Sequence, residues 1–455
     1  MMTKSCLALA FLCLAFVLPL RAFDWETATV RGREYVTLKS FCQFYAFGYS
    51  APSGNDRFTA RNAGHSISLK LGNSDIYIDG VHFVASFPVE GGDHDWLVSR
   101  MDVIKLFEPV LRPSEVSGRH TIRGVVIDAG HGGSDNGATS RYGSEKSYTL
   151  DTANRLAKIL NDAGLKTVFT RRSDTFVDLY ERAHIASLYS DYCFVSIHYN
   201  SASQEARGLE TYCLSPRGAA STSSAYLTRG DIQKLPGNDD DTQNIVLAAM
   251  VHSEIIKLNP GDSSADRGVK RARFVVIKQN VLPAILVEGG FVSNRMEAAR
   301  VNRPDYRQSL AQDIARGVIK FINVMGDRRI ALPGASAAPV AQAVVPTAPA
   351  GLAHDPANGT IKTAKPAVAG DNATGTTPKK SGKGKKTSSS MPTPPAPATV
   401  VKTDANAKPS TPPASSLNLA EPSTPTPSAD GDKAAPEPDE PPTVSTTPPS
   451  SSRHK

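Results

Sequence analysis

The chain has 455 residues, with 51 lysines and arginines, 44 acidic residues and five cysteines. The formal net charge of +7 at pH 7 is too diffuse in a chain of this length to indicate a nucleic-acid-binding protein. No two cysteines have the CxxC spacing of a thiolate zinc site, which argues against a structural zinc of that kind.

Residues 1–22 have the layout of a secretory signal peptide. Lys4 precedes an apolar run from Cys6 to Leu20, and the segment ends on the small residue Ala22. The apolar run is short for a membrane span. We therefore expect an exported protein that is cleaved after Ala22 and has no transmembrane segment after cleavage. An uncleaved anchor is the alternative.

Three cysteines remain after this cleavage: Cys42, Cys193 and Cys213. An odd number is unusual for an exported protein. Cys193 and Cys213 flank neighbouring strand-like runs and could form a disulfide, but spacing alone does not establish the geometry that this bond requires.

Residues 23–115 are predicted to form a small α+β domain. Alternating apolar and polar residues predict short strands, some of them separated by the turn sequences Gly72-Asn73 and Asp79-Gly80. The predicted strands are Glu34–Leu38, Ile67–Leu71, Ile76–Ile78, His82–Val84 and Trp96–Val98. One short helix is capped by Ser40 and another begins at Ser99.

This order of elements resembles the copper amine oxidase N-terminal-like domain, or stalk domain, which is appended to exported bacterial wall proteins. The resemblance implies an interaction or spacer role. His65, His82 and His94 are scattered over hairpins and polar loops, so we interpret them as surface residues and not as copper ligands.

Residues 120–330 are predicted to form an α/β domain with a twisted, mostly parallel sheet and helices on both faces, because strand-like and helical runs alternate. This segment is long enough to bury a full core by itself. The predicted strands are Gly124–Ile127, Lys166–Thr170, Tyr192–Ile197, Leu209–Cys213, Phe274–Ile277 and Ala284–Val287, and the predicted helices are Tyr148–Ala163, Asp174–Leu188 and Ile245–Leu258.

Residues 331–455 are rich in Pro, Ala, Ser, Thr and Lys and have almost no aromatic residues. Such a segment cannot bury enough apolar surface to offset its chain entropy, so we expect a disordered tail. A basic cluster at 378–386 is either part of a solvated linker or a site of weak attraction to anionic wall polymers or membranes.

Four polar side chains in the α/β domain stand at strand ends or at a helix start: His131, Glu145, His198 and Glu288. Open α/β sheets place their ligand sites at the ends of strands, so we expect the four to converge. Two neutral imidazoles and one carboxylate leave a position open on tetrahedral zinc, as in hydrolytic sites. The second carboxylate, that of Glu288, would take the proton of the metal-bound water.

These residues lie in the motifs IDAGHGG at 127–133, SEK at 144–146, TR at 170–171, SIHYN at 196–200 and PAILVEGGFVSN at 283–294. Together the motifs resemble the zinc-dependent N-acetylmuramoyl-L-alanine amidases of the amidase-3 type, over about residues 123–322. The resemblance implies His131, Glu145 and His198 as Zn²⁺ ligands and Glu288 as the catalytic carboxylate.

The same resemblance implies a hydrolase that cleaves peptidoglycan between N-acetylmuramic acid and the L-alanine of the stem peptide. Such an enzyme would act in the periplasm or outside the cell, in wall remodelling or daughter-cell separation. An exported zinc peptidase acting on stem peptides and a catalytically silent wall-binding protein are the alternatives.

Two further residues have two interpretations each. Asp128 either accepts a hydrogen bond from His131 or caps the turn, and Asn200 either faces the substrate or stabilises the loop after His198.

Other charged and imidazole side chains are predicted to be structural. We expect Arg171 and Arg182 to pair with carboxylates of the domain, and His184 and His252, which lie within predicted helices, to play no part in the site.

Residues 216–241 form an unusually long segment with the acidic run Asp239-Asp240-Asp241. Some members of the resembled family carry a regulatory segment at this place, which blocks the zinc until an activator protein moves it. A long surface loop beside the groove is the alternative.

Overall fold

The computed structural model describes residues 23–52, 56–92, 94–224, 226–326 and 329–331. The predicted signal peptide and, apart from Ala331, the predicted tail lie outside these residues, so both stay predictions. No described helix has the length and apolar character needed to cross a membrane.

The amino-terminal part consists of short strands and two helical segments. Its strands are β1 (Thr27–Val30), β2 (Arg33–Thr37), β3 (Arg57–Arg61), β4 (Ser66–Lys70), β5 (Asp75–Ile78), β6 (Val81–Val84), β7 (Glu90–Gly91) and β8 (Trp96–Ser99). Its helices are α1 (Leu38–Phe44), capped by the Thr37 side chain, and α2 (100–111), which contains a π-helical turn.

The second part alternates strands and helices. Its strands are β9 (Gly124–Ala129), β10 (Thr139–Ser140), β11 (Gly143–Ser144), β12 (Lys166–Phe169), β13 (Tyr192–Asn200), β14 (Leu209–Leu214), β15 (Asp266–Ala272) and β16 (Ala284–Phe291). Its helices are α3 (Glu145–Asp162), α4 (Leu179–Ser187), α5 (Asp241–Ile255), α6 (Val275–Lys278), α7 (Arg295–Val301) and α8 (Pro304–Met325).

Within the described residues, one sheet contains ten strands in the order β12-β9-β13-β16-β14-β15-β6-β5-β4-β3. The first four strands run parallel to one another, and β14 runs antiparallel to β16. β15 returns to lie parallel to β14. The α/β sheet is therefore mostly parallel, as predicted.

Helices cover both faces of the α/β part of this sheet, which confirms the predicted fold class. The larger core lies under α3, α5 and α8 and includes the predicted inward residues Ala153, Leu156 and Leu160. The smaller core lies under α4 and α6, where Phe194 and Leu286 are buried.

The two predicted domains share this sheet. Strand β6 of the amino-terminal part pairs in parallel with β15 through Phe83 and Val269, and β5, β4 and β3 continue the ladder outward. The boundary near residue 115 and the stalk-domain resemblance stay predictions, but the hydrogen-bonded sheet crosses that boundary.

One predicted strand is wrong. Phe274–Ile277 leads into the short helix α6, and the strand beside β14 is Asp266–Ala272. A four-residue apolar run does not distinguish a strand from a buried helical turn. Charged residues such as Lys270 and Arg271 interrupt the apolar pattern of the true strand, and their side chains bond Glu210 and Cys213 of β14.

The three described cysteines are unpaired. Cys42, Cys193 and Cys213 are all buried free thiols. Strand β16 lies between β13 and β14, which carry Cys193 and Cys213, so the sheet separates the two thiols and the disulfide considered above is excluded. Burial raises the pKa of Cys193 to about 12, so this thiol is unreactive at neutral pH.

Candidate metal centre and catalytic site

The structure brings His131, Glu145 and His198 together at one edge of the sheet. One ligand atom from each lies within 4.8 Å of the others. Glu145 Oε1 is 3.1 Å from His131 Nε2 and 3.0 Å from His198 Nδ1. The three side chains come from the turn after β9, the first residue of α3 and the carboxyl-terminal half of β13, so sequence-distant groups form one donor set.

The turn after β9 needs glycine because other groups approach its backbone too closely to leave room for a Cβ. A Cβ on Gly130 would lie 2.4 Å from the His198 ring, and a Cβ on Gly132 would lie 2.2 Å from the carbonyl oxygen of Thr175. His131 itself has φ of 60°, a left-handed conformation that costs about 1–2 kcal/mol for a residue with a Cβ. Surrounding contacts must therefore hold the turn.

Two buried arginines hold this turn. Arg182 donates to the carbonyl oxygens of Ala129 and His131, each at 2.7 Å. Arg171 donates to the carbonyl oxygens of Ala129 at 2.9 Å and Gly130 at 2.7 Å. The two guanidinium groups thus fix the backbone that presents His131.

Asp128 bonds groups other than the His131 ring, which does not fit the interpretation that it orients His131. Its carboxylate is fully buried and accepts hydrogen bonds from Arg182 (2.7 Å), Thr170 (2.6 Å) and Ser196 (2.7 Å). Burial disfavours the charged form, but Arg182 and the two hydroxyls outweigh it, so the pKa of Asp128 is lowered. The expected pairing of Arg182 with a carboxylate is confirmed.

Asp135, which the sequence analysis missed, holds the other nitrogen of the His131 ring. His131 Nδ1 lies 2.8 Å from Asp135 Oδ2, and Asp135 Oδ1 accepts the Gly137 N–H at 3.0 Å. Metal-binding histidines commonly give their second ring nitrogen to a carboxylate. The sequence signal for this contact was an acidic residue four positions after a histidine in a turn.

Glu145 is held as a charged carboxylate. Oε2 accepts the Ala138 N–H at 2.8 Å, and Oε1 accepts the Tyr199 N–H at 3.0 Å. Burial raises the pKa of Glu145, but hydrogen bonds from His131 and His198 outweigh it and lower this pKa well below its usual range. The position at the amino end of α3 also favours negative charge.

Glu288 lies inside β16, not at its end, directly beside His198 of β13 in the register. Its Oε2 is buried with no hydrogen-bond partner among the described residues. Burial raises the pKa of Glu288 well above its usual range, and the charges of Glu145 and Glu210 raise it further. The site therefore holds two carboxylates whose pKa values are shifted in opposite directions, that of Glu145 downward and that of Glu288 upward.

Glu210 was also missed by the sequence analysis. It pairs with Glu288 across β14 and β16 and is itself buried. Lys270 lies 2.7 Å from its Oε1, and Arg267 also pairs with this carboxylate. Asn200 donates to Glu210 Oε2 at 3.0 Å and accepts the Ser201 N–H, contacts that fit its loop-stabilising alternative.

Three other described histidines are not part of the donor set. His252 is buried, with Nδ1 2.9 Å from Thr211 Oγ1 and Nε2 2.9 Å from Asp266 Oδ1. His184 is exposed on α4. His82 lies 2.8 Å from Asp75 and is partly buried, so it is less of a surface residue than we expected.

The segment 216–241 follows β14 and lies at the opposite end of the strands from the donor set. Glu210, near the start of β14, is level with Glu288, and because β14 is antiparallel to β16 the strand leads away from the site. The segment contacts the end of β15 and the residue after it: Thr222 Oγ1 donates to the carbonyl oxygen of Arg271 at 2.7 Å, and Arg273 donates to the carbonyl oxygen of Ala219 at 2.8 Å. The described part of the segment therefore does not lie over the donor set in this structure, and a regulatory role for it stays a prediction.

The donor set fits a divalent metal ion. Two imidazole nitrogens and a carboxylate oxygen converge, and the unpartnered carboxylate oxygen of Glu288 lies on the neighbouring strand. The second ring nitrogen of His131 is satisfied by Asp135, which leaves Nε2 to face the cluster.

Residues 125–320 match the family described as N-acetylmuramoyl-L-alanine amidase. The chain is 34% identical over 221 residues to the N-acetylmuramoyl-L-alanine amidase AmiA of Escherichia coli (strain K12), which covers 44% of this chain and 76% of that protein. It is 32% identical over 202 residues to the sporulation-specific N-acetylmuramoyl-L-alanine amidase of Bacillus subtilis (strain 168), covering 44% of this chain and 68% of the relative.

Among solved structures, the catalytic domain of CwlV, an N-acetylmuramoyl-L-alanine amidase from Bacillus (Paenibacillus) polymyxa var. colistinus, is 31% identical. The match covers 45% of this chain and 99% of that domain, with a TM-score of 0.37.

Proposed function

Since this chain belongs to the N-acetylmuramoyl-L-alanine amidase family, we propose that it hydrolyses peptidoglycan at the amide bond between N-acetylmuramic acid and the L-alanine of the stem peptide. The observation that carries the proposal is the convergence of His131, Glu145 and His198 beside Glu288, whose Oε2 is buried without a hydrogen-bond partner among the described residues. A wall-binding protein without catalysis would not need an unpartnered buried carboxylate beside a metal donor set, because such a group is costly to bury.

We propose zinc as the metal, held by His131, Glu145 and His198. Nitrogen and carboxylate donors of this kind leave an open position in hydrolytic zinc sites. When bound, zinc would polarise the scissile carbonyl and lower the pKa of the attacking water.

Glu288 is proposed to move the proton. Burial raises the pKa of Glu288, which makes its carboxylate a stronger proton acceptor than an exposed one, as a general base requires. Glu288 would take a proton from the attacking water and give it to the amine of the leaving L-alanine. Glu145, whose pKa is lowered, would stay charged and serve as a ligand.

The proposed setting is the periplasm or the outer face of the cell, with a role in wall remodelling or daughter-cell separation. The predicted signal peptide and the proposed substrate support this setting. An activator protein that acts on the 216–241 segment stays a proposal as well.

Product analysis tests the bond that is cleaved. Digestion of purified peptidoglycan is expected to release peptides with a free L-alanine amino terminus and to leave the glycan chains intact. A peptidase would instead cut within the stem and leave L-alanine attached to N-acetylmuramic acid, a product that would overturn the proposal.

Two variants test the assigned roles. Glu288→Gln is expected to keep about one zinc per chain and to lose about a hundred- to ten-thousand-fold in rate, because the shape remains and the proton acceptor is gone. Glu145→Ala is expected to lose zinc affinity and activity together. If Glu288→Gln loses its zinc by metal analysis, Glu288 is a ligand and the two roles are wrong.

A further inference from the structure

A single row of cross-strand neighbours connects the candidate site to the amino-terminal hairpins. From His198 it passes through Glu288 and Glu210 to a bulge in β15 at Arg267 and Gly268, and then through His82, Tyr77, Ser68 and Thr59. Side chains opposite one another on adjacent strands project from the same face of a sheet. The catalytic carboxylate and the hairpins therefore share one sheet face.

This face is covered near the site and open on the hairpins. Under α4 and α6 it carries buried residues such as Phe194 and Leu286. On β3 and β5 the residues of the row are exposed, whereas the alternate residues Phe58, Ala60, Ile76 and Ile78 are buried. A cavity of about 600 Å³ lies on the open part, lined by Thr59, Arg61, Ser66, Ser68, Tyr77 and Gly80 among others.

The open face carries charges of both signs, and most of them are paired: Asp75 lies 2.8 Å from His82, and Lys70 lies 3.3 Å from Asp56. Arg57 and Arg61 on β3 are exposed and have no carboxylate partner within the described part of the chain. Closer to the site, Arg267 and Lys270 share the single carboxylate of Glu210. A ligand that carries carboxylates fits this side of the site.

The opposite side of the site has a different character. Phe176 packs against Gly133 of the glycine turn, and its side chain is 57% exposed. Tyr180, four residues later, is 56% exposed. Exposed aromatic rings offer large apolar contact area, which the C–H faces of sugar rings can use, so a glycan chain fits this side.

We propose that the open face of β3–β6 is a second substrate surface, which binds the carboxylates of a long peptide arm attached to the glycan. The proposal rests on the proposed amidase function. It assigns the amino-terminal hairpins to substrate selection and not to a spacer role.

The strand spacing sets the length of peptide that this surface selects. Strands lie about 4.8 Å apart, so β6 is about 14 Å from β16 and β3 is about 29 Å from it. An extended peptide spans at most about 3.3–3.6 Å per residue. A four-residue stem would end near β6, whereas a peptide of about eight residues, the length of two joined stems, would reach Arg57 and Arg61.

The test measures binding in the full chain with the Glu288→Gln substitution, so that the ligands are not cleaved. The probes are muramyl peptides of four and of eight residues with free carboxylates, and the eight-residue compound with its carboxylates converted to carboxamides. The added variant is Arg57→Gln with Arg61→Gln. The matched control is Arg229→Gln, an exposed arginine on the 216–241 segment at the opposite end of the strands from the donor set.

The double variant is expected to bind the eight-residue carboxylate probe about tenfold more weakly, with less than a twofold change for the four-residue and carboxamide probes. Arg229→Gln should bind all three probes like its parent.

Equal weakening for four and eight residues, or no weakening at all, would overturn the proposal. Weaker binding of peptide-free glycan chains by the double variant would assign the surface to glycan and overturn it too. Binding is measured without turnover, so it can be judged separately from the amidase activity. If the probes bind as expected but the unmodified enzyme fails to digest peptidoglycan, the amidase function is refuted and the binding surface is not.

Discussion

The imidazole of His131 is controlled by groups that do not belong to the proposed ligand set. Asp135 holds Nδ1, and Arg182 holds the backbone carbonyl of the same residue, so both the ring and its strained backbone are fixed. This leaves Nε2 as the nitrogen that faces Glu145. A metal would meet a pre-oriented donor, which lowers the entropic cost of binding.

Asp135→Asn is therefore expected to weaken zinc binding about 10- to 100-fold, because the amide keeps the shape of the side chain and loses the charge that orients the ring. Competition with a chromogenic chelator measures the affinity directly, and excess zinc should restore part of the activity. Asp191→Asn, at the far edge of the sheet, is the control. Unchanged zinc affinity in Asp135→Asn would show that the Asp135 contact does not matter for the metal.

Helices α5 and α8 pack together on the larger core and are joined by a charge cluster. Glu254 of α5 accepts hydrogen bonds from Lys320 at 2.5 Å and Arg316 at 3.1 Å, both on α8, and from Lys257 at 2.7 Å. Burial raises the pKa of Glu254, but the three cations outweigh it and lower the pKa to about 2. The carboxylate therefore links the two helices while it is charged.

A pKa that is lower in the folded state gives stability that is present above about pH 4.5 and is lost as the pH falls toward 2. Glu254→Gln is expected to lower the free energy of unfolding at pH 7 by about 1–3 kcal/mol and to flatten its dependence on pH between 5 and about 2. Urea unfolding at several pH values measures both effects. The exposed Glu181→Gln on α4 should change neither, and an unchanged pH slope in Glu254→Gln would contradict the assignment.

The amino-terminal part and the α/β part are joined by more than the β6–β15 pairing. The His82 N–H donates to Asp266 at 3.2 Å, Lys105 lies 3.3 Å from Asp241, and Arg271 donates to the carbonyl oxygen of Lys105 at 2.7 Å. Phe83 and Phe107 are buried in the larger core. The amino-terminal strands thus cover β15, which would otherwise be an exposed edge strand of the α/β part.

Deletion of residues 23–115 is expected to lower the melting temperature by about 10 °C or more, or to cause aggregation, because β15 becomes an exposed edge strand beside uncovered apolar residues. Deletion of residues 332–455 is the matched control and should leave the melting temperature unchanged, since every strand and helix described above ends before residue 332. An amino-terminally shortened chain that stays monomeric with an unchanged melting temperature would show that the two parts are independent.

The local pattern of apolar and polar residues was sufficient to predict much of the fold. Continuous apolar runs such as Val125–Ile127 predict buried strands, and polar residues at or near their ends predict the edge where His131 and His198 meet. Helix α3 follows from apolar residues three and four positions apart, and Ala153, Leu156 and Leu160 are indeed buried. These features depend on neighbours close in sequence, so the sequence alone contains them.

Features that depend on strand order and direction required the tertiary structure. The antiparallel course of β14 places 216–241 away from the site, and no residue within that segment signals this direction. Asp128 and Asp135 are both near His131 in sequence, and only the packing of Arg182, Thr170 and Ser196 around Asp128 leaves Asp135 to bind the ring. The joining of β6 to β15 arises from hydrogen bonds between strands about 180 residues apart, which periodicity within either segment does not encode.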